Sequence, residues 1–173
     1  MIIDSRKQIS DSKDEIYQNL MRTYEYLNEK MLANSAIELF INMKFNQGGL
    51  DPIKGTPLNF IEQLNQTFSD LVVLYAVEML INKYSDKTFE VNFGPNAGFD
   101  IESQDKTVVA ECFAVTNVSS NNKLRKDAKK LLDIAQNAEK YIYFYSENDS
   151  EEKLEKIYKQ FPEIIFQRIK TFW

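Results

Sequence analysis

Phe99-Asp100-Ile101-Glu102-Ser103-Gln104-Asp105-Lys106-Thr107-Val108-Val109-Ala110-Glu111-Cys112-Phe113-Ala114-Val115 is the stretch on which the reading of this chain turns. Its second half, Thr107 to Val115, is β-branched, small and aromatic, which predicts a buried strand. Glu111 is out of place there, because a carboxylate taken out of water without a partner is costly. Gln104-Asp105-Lys106 supplies a turn, and Phe99-Asp100-Ile101 opens the strand that precedes it.

Upstream, Phe89, Val91 and Phe93 alternate with Thr88, Glu90 and Asn92, the period of a half-buried strand. Gly94 to Gly98 is the turn that follows. Leu71 to Tyr84 is apolar nearly all round and predicts a buried helix, with Ser69 or Asp70 as its cap and Glu78 on an inward stripe. Thr56-Pro57 looks like the cap and first-turn proline of a helix carrying Phe60, Ile61, Leu64 and Phe68. The first 45 residues read as helical, capped at Ser10 or Ser12, pausing near Ala33-Asn34-Ser35 and stopped by Gln47-Gly48-Gly49. Leu50 to Gly55 reads as a loop.

Downstream come a helix over Asn121 to Ala138, an aromatic strand over Tyr141 to Tyr145, a charged helix over Ser150 to Gln160 and a strand over Glu163 to Ile169. Alternating units of this kind build one sheet covered by helices, so the expected class is α/β. With 173 residues, 5 Gly and 4 Pro there is room for one domain and little linker. The expectation is a single domain over 1–173, a helical part at 1–69 and an α/β core at 70–173.

The composition narrows the chemistry. There is no histidine, which removes Ser-His-Asp and Cys-His nucleophilic sites and imidazole metal sites together. Cys112 is the only cysteine, so neither a disulfide framework nor a thiolate cluster is expected. Hydrolysis by this chain has to use carboxylates, lysines and a hard metal ion. The N-terminal residues lack a signal-peptide pattern, and the apolar run from Leu71 to Ala76 is too short to span a bilayer, so a cytoplasmic protein without a membrane is expected. The net charge of -5 counts against broad nucleic-acid binding but leaves room for a local basic patch.

Asp100, Glu111 and Glu78 could share one divalent cation, Mg²⁺ or Mn²⁺, which prefers oxygen ligands and can activate water beside a phosphate. Here the chain resembles the PD-(D/E)XK, or restriction-endonuclease-like, nuclease superfamily. Gly98-Phe99-Asp100-Ile101 stands at the first motif, and Glu111-Cys112-Phe113 stands at the Glu-x-Lys motif. The eleven residues from Asp100 to Glu111 suit a tight hairpin, and Glu78 matches an acid many members carry on the preceding helix. The resemblance covers about Asp70 to Tyr145. It implies an αβββαβ core with a mixed central sheet, extra helices in front, and metal-dependent cleavage of DNA phosphodiesters.

Phe113 stands where the motif lysine belongs, and a phenyl ring cannot polarise a phosphate. Lys123, on the following helix, is the expected substitute, with Lys126 three residues on. The same helix concentrates positive charge, so Asn121, Asn122, Lys123, Lys126 and Lys130 are the expected nucleic-acid contacts. Two other readings stand beside the nuclease. One is a catalytically degenerate domain of the same fold that binds a protein or nucleic-acid partner. The other is an unrelated α/β domain whose N-terminal helices, Ile16 to Met43, pack on a second copy.

Overall fold

A computed structural model describes residues 1–33, 35–94, 97–119 and 122–172. A mixed six-stranded sheet lies between two helical layers. In chain order the elements are β1 (Ile2–Ile3), α1 (Arg6–Ala33), α2 (Ala36–Phe45), β2 (Gly49–Leu50), β3 (Pro57–Leu58), α3 (Phe60–Lys83), β4 (Phe89–Val91) and β5 (Ile101–Ser103). Then follow β6 (Val108–Val115), α4 (Lys123–Ile134), β7 (Glu139–Ser146), α5 (Glu151–Tyr158) and β8 (Ile164–Ile169). The sheet order is β1-β4-β5-β6-β7-β8. The pairs from β1 to β6 are antiparallel, and β6-β7 and β7-β8 are parallel. The two parallel connections run through α4 and α5, as parallel strands require.

β6 shows why the chain folds this way. Val108, Ala110 and Cys112 face one layer, where they meet Ile9 and Ile16 of α1 and Val72, Val73 and Val77 of α3. Val109 and Phe113 face the other, among Leu124, Ala128 and Leu131 of α4 and Leu154 and Ile157 of α5. A central strand covered on both faces needs a nearly continuous apolar run, which is the composition of Val108 to Val115. Glu111 shares a pleat face with Val109 and Phe113, so it points toward α4.

Five local expectations are corrected. A short edge strand, β1, precedes the first helix and donates order to β4 through the Val91 N–H···Met1 O bond of 2.7 Å; two residues are too few to show a period. Helix α1 starts at Arg6 rather than at Ser10 or Ser12, because Gln8 Oε1 accepts from the backbone N–H of Asp4 and Ser5. Pro57 lies in β3, paired with Leu50, instead of opening a helix, and so the expected loop at Leu50 forms half of a small hairpin. Asn59 caps α3, its side chain accepting from Glu62 N–H at 2.9 Å. The two helices expected around Ser69-Asp70 are one helix of 24 residues. The expected pause at Ala33-Asn34-Ser35 falls between α1 and α2; Asn34 lies outside the described residues, as do Pro95 and Asn96 of the Gly-rich turn.

Helix α3 is long and apolar enough, by length and composition, to cross a membrane, and it is the one such helix among the described residues. The apolar run read from Leu71 to Ala76 is thus part of a longer segment. Its composition has a packing reason here: Val72, Val73, Leu74, Ala76, Val77 and Leu80 are all buried between the sheet and α1.

Candidate functional site

At the open side of the β4-β5-β6 meander lies a cleft of about 410 Å³. Its walls are Gln66 and Asp70 of α3, the glycines Gly94 and Gly98, Asp100, Glu111 and Phe113 on the sheet, and Lys123 and Lys130 of α4. Gly94 and Gly98 have φ of 72° and 109°, values an L side chain rarely adopts. The turn they make bends the chain back, so that Asn92 N–H donates to Asp100 O and Asn92 Nδ2 to Phe99 O. That fixes Asp100 at the mouth of β5.

Asp100 and Glu111 are brought together. Ile101 pairs with Ala110, and the pleat therefore turns both acids to the α4 side. Asp100 Oδ2 accepts from the Cys112 N–H at 2.6 Å. Glu111 is 3% exposed, and its Oε1 accepts from Lys130 Nζ at 2.6 Å. Each acid uses one oxygen in these bonds and carries a second. Burial raises the pKa of both above the usual carboxylate range, and for Glu111 the neighbouring Asp100 charge adds to it, up to about 7 against the pull of Lys130.

The two lysines reach the cleft from one face of α4, but neither is idle. Lys130 Nζ donates to Gly98 O at 2.6 Å as well as to Glu111 and lies 5.4 Å from the Phe99 ring centroid. Lys123 Nζ lies within 2.8 Å of both oxygens of Asp127, one turn on. It also stands 5.6 Å above the Phe113 ring. Burial works against its charge, yet Asp127, Glu111 and Asp100 outweigh that and hold its pKa above the ordinary lysine value. An ammonium therefore stands over the Phe113 ring.

Glu78 is not in this cleft. It is half-exposed and accepts from Lys13 Nζ at 2.8 Å, tying α3 to α1. The acid that α3 does present to the cleft is Asp70, 2% exposed and expected only as a cap. Eight residues separate the two, which on a helix is about 80° of rotation and about 12 Å of rise. A signal for Asp70 was present: Gln63, Thr67, Asp70, Leu74 and Val77 recur at helical spacing, and all are buried. Burial pushes the Asp70 pKa up to about 7, with added repulsion from Asp51 and Asp100 against one long bond from Gly94 N–H at 3.4 Å. Asp127 of α4 is buried too, and burial raises its pKa.

Of the expected nucleic-acid contacts, Lys123 and Lys130 line the cleft. Lys126 is exposed on α4 and does not line the cleft. Asn122 is exposed at the helix start in a left-handed conformation, with its N–H bonded to Ser119 O. Asn121 lies outside the described residues.

The donors that a divalent cation would meet here are carboxylates. Among the described residues no three acids stand close enough together to form a ready-made metal cage. Mg²⁺ needs no such cage, since it is commonly held by one or two carboxylates plus water and phosphate oxygens. Asp100 and Glu111 fit that role: their oxygens are hard donors, and a cation between them would offset both the burial that raises Glu111 and the Asp100 repulsion that adds to it. Glu78 does not fit.

No known protein-family model, curated protein or solved structure matches this chain.

Proposed function

We propose that this chain is a metal-dependent phosphodiesterase of the PD-(D/E)XK type, acting on DNA in the cytoplasm. The observation that carries the reading is the pairing of Asp100 and Glu111 on one sheet face, under a lysine that stands over Phe113. Also in its favour, β4-β5-β6, α4 and β7 run in the order of an antiparallel meander, a crossover helix and a parallel strand. That is the βββαβ order the family resemblance implies, with α3 as its leading helix.

Bound between Asp100 and Glu111, Mg²⁺ or Mn²⁺ would lower the pKa of a water and stabilise charge developing on the phosphate. The chain's own residues do the rest. Asp100 is held by the Cys112 N–H, so its remaining oxygen is oriented without reorganisation. Lys123 carries a positive charge over the sheet face, where it neutralises the non-bridging oxygens of the attacked phosphate. Lys130 favours the ionised form of Glu111 and lines the same cleft, where its ammonium would meet the phosphodiester. Asp70, near half-ionisation at neutral pH, stands where it can accept a proton from water or another ligand oxygen.

Plasmid nicking with Mg²⁺ and Mn²⁺ tests this. Activity in the wild-type protein should fall about 10²–10⁴-fold in Lys123→Ala, as removal of a charge-stabilising group does, and be lost in Asp100→Asn and Glu111→Gln. Glu78→Ala should be as active as wild type.

One observation favours a second reading, a degenerate domain that binds a partner without cleaving it. Both lysines of the cleft are already paired with carboxylates, Lys130 with Glu111 and Lys123 with Asp127. Metal-independent binding of a DNA duplex, with no nicking under any divalent cation, would select that reading.

A further inference from the structure

Helix α2 carries an interaction surface that the cleft does not use. Its sequence, Ala36 to Phe45, puts Leu39, Asn42 and Met43 toward the body of the protein, each half-buried, and none of its described residues is fully buried. The outward face is the more apolar one. Ile37, Phe40, Ile41 and Phe45 are 67%, 65%, 47% and 71% exposed, and Met31 and Leu32, in the last turn of α1, are 62% and 92% exposed. A ten-residue helix has little stability of its own in water, so six large apolar side chains left on its wet side and beside it are a cost with no intramolecular return.

We propose that this face is the homodimer interface of the protein, with two copies of α2 packed antiparallel about a two-fold axis. The area is sufficient. The six exposed side chains form an apolar patch on the order of several hundred Å², comparable with the roughly 800 Å² that each partner contributes to a standard-sized interface. The charges choose the orientation. Glu38 sits in the first turn, bonded to Ser35, and Lys44 sits in the last. A parallel pair would set like charges side by side. An antiparallel pair sets each Glu38 beside the other copy's Lys44, and opposes the helix dipoles favourably. The self-complementary arrangement is what a two-fold axis demands. The same surface offers an anionic bilayer little: α2 has one acid and one base rather than the basic flank of an interfacial helix, and the chain carries a net charge of -5.

Sedimentation velocity on the purified full chain, with no metal or DNA, measures this separately from any nuclease activity. Wild type should sediment at twice its 20.2 kDa mass at micromolar concentration, and Phe40→Asp should be a monomer with an unchanged circular dichroism spectrum. Lys44→Glu should raise the dimer dissociation constant about tenfold, since each two-fold pair turns from attraction to repulsion, and Glu38→Lys/Lys44→Glu should restore it. Monomeric wild type at every concentration overturns the proposal. So does a dimer that survives Phe40→Asp, or a dimer insensitive to both charge variants. A wild-type monomer that co-sediments with phosphatidylglycerol vesicles through Phe40 would show instead that the face meets lipid.

Discussion

Glu111 and Asp149 are both buried carboxylates bonded to a lysine, yet the protein treats them in opposite ways. Asp149, at the start of α5, accepts from Val118 N–H at 2.7 Å and from Lys153 Nζ at 2.5 Å. Burial would raise its pKa, but those bonds outweigh burial and lower it. Every element around it gains from its charge: the β6-α4 loop through Val118, and α5 through Lys153, which also binds Asn117. Glu111 has one lysine, a second acid facing it and an open cleft in front, and its pKa is pushed up to about 7. A carboxylate satisfied by the fold is structural. One that the fold leaves under-satisfied, beside others like it, is held for something outside the fold.

That contrast is most open to attack through stability. Asp149→Ala should cost about 3 kcal/mol, because it leaves a buried N–H and a lysine without their acceptor. For a chain this size the melting temperature should fall by about 6–12 °C, read by differential scanning calorimetry. Glu111→Gln should change stability by less than about 1 kcal/mol at pH 8, since the lost ion pair is offset by relief from Asp100. Equal losses in the two variants would erase the distinction.

Asp70 sharpens it with a pH dependence. Its carboxyl titrates at about 7 in the folded protein, against about 3.9 in an unfolded chain. Between those values the folded state holds the extra proton, so this group's contribution to stability falls as pH rises from about 4 to about 7. Asp70→Asn removes that slope. The variant should be more stable than wild type by about 1–3 kcal/mol at pH 8 and nearly equal to it at pH 4, by urea denaturation at both pH values. A variant less stable at pH 8 would mean that Asp70 is a structural acid like Asp149.

The smallest effect belongs to Glu78. Its pair with Lys13 is more than a third exposed on both sides, and such pairs contribute about 0–1 kcal/mol. Glu78→Ala should therefore move the urea midpoint little, and should leave metal affinity untouched.

What the sequence made legible follows from how locally each feature is encoded. The β6 run with one charge in it, the turn before Asp100 and the basic helix α4 are short-range patterns, and Asp100, Glu111, Lys123 and Lys130 emerged from them as neighbours in one cleft. Glu78 rather than Asp70 reads as the cleft acid because each interrupts an apolar helix, and which interruption faces the cleft depends on how α3 rotates against the sheet. The Asp70 stripe begins with Gln63 and Thr67, polar residues that look solvent-facing in the sequence; both are buried, and Gln63 accepts from Leu50 N–H and donates to Asn19 O. Pro57 satisfied the rule for a helix start and also the rule for an edge strand, and only its pairing with Leu50 decides between them.

Isothermal calorimetry of Mn²⁺ binding, repeated at pH 6.5 in buffers of different ionisation heat, tests whether Asp100 and Glu111 hold a cation. Glu111 and Asp70 are partly protonated there, so a cation that enters the cleft must displace protons. Wild-type protein should bind Mn²⁺ with net proton release, Asp70→Asn should release fewer protons, and Asp100→Asn and Glu111→Gln should not bind it. Wild-type protein that binds no Mn²⁺, or binds it equally well without Asp100 and Glu111, would contradict that assignment.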